Sequence, residues 1–132
     1  FTYTDFDCYV SATFYIIKTV RTNQKYLTAI LNSKLIAFWL KNKGKMQGNN
    51  YQLDKEPLLE IPIYNTNQTK QNTVVKLVDE ILLNKKENIE VIELENQIDT
   101  FIYKLYELTH DEVLIINPDF ELSANEYETL EF

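Results

Sequence analysis

The chain has 132 residues, 45% apolar, 25% charged and 13% aromatic, with two glycines, three prolines and a formal net charge of −7. That length suits one domain burying roughly two-thirds of its unfolded surface, which excludes wholesale disorder and a collagenous or linker-like chain. Taken as a total, the acidic balance argues against a nucleic-acid partner.

A single cysteine, Cys8, excludes an internal disulfide framework and fits a reducing, cytoplasmic setting. One histidine and one cysteine are too few for a Cys/His zinc site. No apolar run reaches the roughly 18 residues of a membrane span, and Leu35–Leu40 is short and flanked by lysines. The start, Phe1-Thr2-Tyr3-Thr4-Asp5, lacks the basic and apolar regions of a signal peptide; a chain opening on Phe reads as a fragment or processed product.

The charge divides along the chain. Residues 1–70 hold nine Lys/Arg against five Asp/Glu, a net of +4, and residues 71–132 hold four against fifteen, a net of −11. Within 18–55 eight cations, Lys18, Arg21, Lys25, Lys34, Lys41, Lys43, Lys45 and Lys55, face only Asp54, a local net of +7. Screening acts over about 8 Å at physiological salt, so a docking polyanion feels this local charge and not the total. The plainer reading, that these are solvated helix faces, stands beside it.

Residues 8–20 are rich in β-branched and aromatic types and read as strand after turn residues Asp5 and Asp7. Arg21-Thr22-Asn23 supplies a loop and a candidate helix N-cap. Leu27, Ile30, Leu31, Leu35, Phe38 and Trp39 then repeat at helical spacing, predicting one helix over about 24–43 that ends at Gly44. Residues 44–55 form a polar, basic loop containing both glycines and leading into a short strand at Tyr51–Leu53. The prolines limit Glu56–Ile63 to a turn of helix and an extended stretch, and Asn65–Thr69 is a polar linker.

From Lys70 the pattern is helical again. Val74, Leu77, Val78, Ile81 and Leu82 mark one face, and Ile89 through Leu108 a second. One bent helix or two are both open over 70–108, with two joined near Lys86–Asn88 preferred. Thr109-His110-Asp111-Glu112 is a capping-box pattern for a short helix stopped at Asn117-Pro118. The tail, 119–132, carries five carboxylates with little periodicity and reads as loose.

Catalytic motifs are weak. Leu114-Ile115-Ile116-Asn117-Pro118-Asp119-Phe120 is similar to the N-P-P-Y segment of amino-methyltransferases, but its third position is Asp and no glycine-rich cofactor loop exists. A helix stop is the better reading. Pro118-Asp119 with Glu121 has the acidic pair of metal-dependent nucleases without the lysine that follows it. No Ser-His-Asp or Cys-His set can be built from one His and one Cys. His110 reads as a first-turn surface residue, Cys8 as strand packing, and Phe38 and Trp39 as core or interface.

What remains is the basic helix end and its loop. Lys41, Lys43 and Lys45 can neutralise phosphates; Gln47, Asn49, Asn50 and Gln52 carry paired donors and acceptors suited to base edges, adenine above all. Tyr51 is placed to stack or to touch sugar.

The order of the motifs carries a family resemblance. Tyr26–Leu40 resembles the "LLAILNSKLIxFYL" helix of bacterial DNA target-recognition domains, and Leu58-Leu59-Glu60-Ile61-Pro62-Ile63 resembles "LExLPIP". Leu77–Leu82 and Ile98–Thr109 resemble "LVDKIL" and "IDxLVYxLYGLT", with Glu107 standing where that pattern often has Gly. Over about residues 9–116 the chain is similar to the TaqI-like C-terminal specificity domain of restriction–modification enzymes, related to half of a type I specificity subunit.

The resemblance implies a non-catalytic reader of double-stranded DNA, with Lys43 to Gln52 facing it, held on methyltransferase or nuclease domains of the same or a partner polypeptide. S-adenosylmethionine and Mg are implied for the parent enzyme alone. The expected fold is α+β: a small β region with a packed helix (about 24–43), long helices open to pairing (about 70–108), and a short C-terminal helix. The expected division is 1–69, the distal part of a recognition module; 70–116, a helical spacer; and 117–132, a loose acidic tail. A helical protein–protein interaction or dimerisation module is the alternative.

Overall fold

A computed structural model describes residues 1–43 and 55–132 in full, and of the stretch between them the backbone of 45–47 and 50–52. Asn23 opens helix α1, Gln24–Asn32: its side chain accepts from the Lys25 and Tyr26 backbone N–H groups, satisfying donors that the first turn leaves unpaired. Ser33 interrupts what the periodicity predicted as a single helix, with φ −65° and ψ 153°. Its hydroxyl donates to the Ile30 carbonyl at 2.7 Å and accepts from the Ile36 N–H at 3.3 Å. Helix α2, Lys34–Lys43, restarts beyond it.

The restart has a cap from far along the chain. Asp99 accepts a 2.9 Å hydrogen bond from the Lys34 N–H, and the Lys34 ammonium lies 3.8 Å from its other oxygen. The Asp99 side chain is only 9% exposed. Burial pushes its pKa above the usual carboxylate range, while the Lys34 N–H and ammonium oppose that rise.

After α2 comes a two-stranded antiparallel ribbon, β1 (Lys45–Gln47) and β2 (Asn50–Gln52). Helix α3 (Lys55–Leu59) follows, and then α4 (Gln68–Lys86) and α5 (Ile92–Leu105). The 70–108 region is thus two helices. Each ends in a Schellman motif: Asn88 and Glu107 take φ values of 55° and 57°. The next N–H groups reach back from Ile89 to Asn84 at 2.9 Å and from Leu108 to Tyr103 at 3.0 Å. Glu107 occupies the left-handed position that glycine fills without steric cost.

One core joins the two halves. Tyr26, Ile30, Ile36 and Leu40 pack with Val74, Val78, Ile98, Phe101 and Ile102, so the core continues across residue 70. Gln71, buried in α4, donates to the Thr66 carbonyl at 3.0 Å and accepts from Thr22 and Asn23. Tyr106 donates to the Pro62 carbonyl at 2.6 Å, and Tyr26 donates to the Tyr64 carbonyl at 2.9 Å. These bonds pin the extended 60–66 stretch across α1 and α5.

The expected α+β class is overturned. The described residues fold as seven helices, and their only paired backbone is the three-residue ribbon, too small to make a β region. The strand read over 8–20 is absent. Its propensity is real, but a strand exists only through a ladder, and no described backbone pairs with it. Phe6, Tyr9, Phe14, Ile16 and Val20 stay exposed, and Cys8 is exposed too, so it packs in no strand.

Residues 117–132 were expected to be loose, yet they fold. After α6 (His110–Ile116), whose Thr109–Glu112 capping box forms as the sequence indicates, Ser123 and Glu126 build a second box for α7 (Ala124–Thr129). Tyr127 is buried there with Tyr103 and Val113. Its hydroxyl donates to the Leu108 carbonyl at 2.9 Å, and burial pushes its pKa up to about 12.

Asp99→Ala removes the α2 cap and is expected to lower unfolding stability by about 1–2 kcal/mol, whereas Asp99→Asn keeps an acceptor and most of it. Because the native carboxyl has a raised pKa, its contribution is full below the ordinary carboxylate range and declines as pH rises through the native value. In denaturant melts across acidic pH the parent is expected to lose stability relative to Asp99→Asn as pH rises. Glu107→Gly relieves the left-handed strain and is expected to stabilise by about 1 kcal/mol in the same melts.

Candidate nucleic-acid interface

The Asp99 cap sets the direction of α2, which carries Lys41 and Lys43 in its last turn, where cations complement the negative helix end. Both side chains are exposed. The ribbon leaves from this end, pairing Lys45 with Gln52, Met46 with Tyr51 and Gln47 with Asn50. Helix α3 then returns to pack on α2. The elements thus bring the backbone of five candidate residues together beside Lys41 and Lys43. The side chains of Lys45, Gln47, Asn50, Tyr51 and Gln52, and the whole of Asn49, lie outside the described residues, as does the proposed helix end at Gly44.

Charge separated along the sequence is partly matched in space. Lys25 of α1 pairs with Asp79 of α4, a hydrogen bond that raises the lysine pKa. Lys34 reaches Asn96 at 3.2 Å as well as Asp99. Two of the eight cations between residues 18 and 55 therefore serve to join α1 and α2 to the acidic helices. Lys41 and Lys43 sit at the far end of α2.

Lys43 has two neighbours that composition and spacing did not single out as partners. Its ammonium lies 3.6 Å from Glu60 and 5.9 Å from the centre of the Trp39 ring. Glu60 follows α3, so the pair joins the segment entering the ribbon to the segment leaving α3. Such a pair crosses a loop and leaves no periodic trace in sequence. Trp39 is half-buried against the core, and Phe38 is exposed.

The other candidates resolve as structure. Asn117 ends α6, its N–H donating to the Val113 carbonyl at 2.8 Å, and Phe120 packs edge-on against Tyr103 and Tyr127. His110 bonds the Leu122 carbonyl at 2.8 Å beside the Phe120 and Tyr127 rings. Among the described residues no helix is long and apolar enough to cross a membrane.

The ribbon, both flanking helices and the stretch through Ile63 fall within one match to a known family. Residues 1–63 match the TaqI-like C-terminal specificity domain. Over that specificity segment the resemblance carried by the Tyr26–Leu40 and Leu58–Ile63 motifs holds; the motifs beyond Ile63 lie outside the match. The chain is also similar to the type II methyltransferases M.HincII of Haemophilus influenzae and M.HindII of its strain Rd. Each is 40% identical over 45 residues, 34% of this chain and 9% of the relative. The matched stretch therefore spans about a tenth of the relatives' length. No solved structure matches the chain.

Lys41→Ala and Lys43→Ala remove exposed charges and are expected to leave unfolding stability within about 0.5 kcal/mol of the parent. Lys34→Ala removes the ammonium facing the buried Asp99 carboxylate, and a loss of about 1 kcal/mol is expected in the same denaturant melts.

Proposed function

We propose that the chain is a DNA-sequence recognition module of a type II restriction–modification enzyme. It gives target specificity to methyltransferase or endonuclease domains and performs no catalysis itself. The observation that carries this reading is the specificity-domain match over residues 1–63, which spans the surface where Lys41, Lys43 and the ribbon converge. The similarity to two type II methyltransferases supports the choice of a type II parent over half of a type I subunit.

In this reading Lys41, Lys43 and Lys45 hold phosphates and fix the register. Gln47, Asn49, Asn50 and Gln52 read base edges, and Tyr51 contacts sugar or base. The helices after residue 70 hold α1 and α2 in place and present their outer faces to the parent enzyme. S-adenosylmethionine and Mg belong to the parent, which works in the cytoplasm where its DNA lies.

A salt titration of binding to duplex DNA tests the proposal. Each phosphate neutralised contributes a slope of about −0.9 in log affinity against log salt, so Lys41→Ala is expected to flatten the slope by about that amount. Lys41→Ala weakens all sequences alike, whereas Gln47 or Asn50 substitutions change the order of preferred sequences. Binding that does not vary with salt would contradict phosphate holding by this face.

A further inference from the structure

Within the DNA-recognition reading, on which this inference rests, the Lys43–Glu60 pair raises a question of charge accounting. A lysine that meets DNA from water brings no protein anion with it, and each phosphate it neutralises releases a condensed counterion. Lys43 is differently placed. Its ammonium already faces Glu60 at 3.6 Å, with both side chains more than half exposed. Exposure makes the pair easily exchanged, since such pairs are weak and screened.

The geometry points to Glu60 as a positioning residue that restrains Lys43 from phosphate and so sets the sequence-independent affinity of this surface. Four observations meet here. The pair joins the last residue of α2 to the residue after α3, the two helices that flank the ribbon in the chain. The Trp39 ring lies 5.9 Å from the same ammonium, a second neighbour on the lysine's own helix. Lys41, two residues earlier and exposed on the same helix end, has no such carboxylate among the described ion pairs. Glu60 also falls inside the specificity-domain match.

For Lys43 to hold a phosphate it must leave Glu60, whose carboxylate then attracts a salt cation. The uncovered carboxylate beside the DNA offsets part of the positive charge that Lys43 brings, so the exchange contributes less to the salt slope than a free lysine would. Lys43 thus supplies direction with less than the usual gain in general affinity. A reader of sequence benefits from this, because discrimination depends on the ratio of specific to non-specific binding and not on tightness alone.

The test is a salt titration of the whole chain with sonicated, mixed-sequence duplex DNA. Parent, Glu60→Gln, Lys43→Ala and the double variant are compared, with circular dichroism to confirm that each is folded. Glu60→Gln is expected to bind roughly two- to fivefold tighter at low salt and to steepen the slope by up to about 0.9. In the Lys43→Ala background the Glu60→Gln change is expected to add no steepening. Parent and Glu60→Gln binding with the same salt-dependent slope would overturn the role of Glu60 and leave the recognition reading standing. Equal steepening with and without Lys43 would assign the effect to the general field and overturn it too. Salt-independent binding, or none, by both proteins would overturn the recognition reading and this inference together.

Discussion

The architecture turns on a single carboxylate. Asp99 of α5 receives the Lys34 N–H at the place where Ser33 breaks the chain of α1 and α2. A break inside an apolar helix leaves unpaired N–H groups, and burying them without partners is costly. Ser33 meets part of that need and Asp99 another part. The carboxylate is itself strongly desolvated, so the cap is stable only while α5 stays packed beside α2. The direction of α2, and with it the placement of Lys41, Lys43 and the ribbon, therefore depends on a residue outside the segment that matches the specificity domain.

That dependence gives the acidic half of the chain a role in the basic half. The Lys25–Asp79 and Lys34–Asp99 pairs, the Gln71 bonds to the 22–23 loop and the common core make α4 and α5 the bed on which α1 and α2 lie. The charge pattern reads the same way. Cations near the α4–α5 face are matched by carboxylates, and at the opposite end of α2 Lys43 faces Glu60 while Lys41 is exposed. The net charge of −7 is the sum of a matched seam between the helices and surfaces of opposite sign.

How much of this was legible depended on range. Asn23 as a cap, the Thr109–Glu112 box and the two-helix reading of 70–108 rest on neighbours within four residues, and all three appear in the structure. The Ser123–Glu126 box has the same local signature, and it was obscured by the carboxylates around it. The Ser33 break was not legible, because the carboxylate that caps the restart lies 65 positions beyond Lys34. Residues 8–20 erred in the other direction: strand propensity is local, but a strand needs partners. At the candidate site, Lys41 and Lys43 were visible as a charge pattern at a helix end, while Glu60 became visible as a partner only through space.

The measurement that bears most directly on the account is residue-resolved NMR of the chain during titration with duplex DNA. Recognition by the α2 end and ribbon predicts that amide shifts concentrate at Lys41, Lys43 and residues 45–52, and fade with added salt. Amides along the outer faces of α4 and α5 should stay unmoved. Perturbations centred on α4 and α5, with the α2 end and ribbon unmoved, would contradict it.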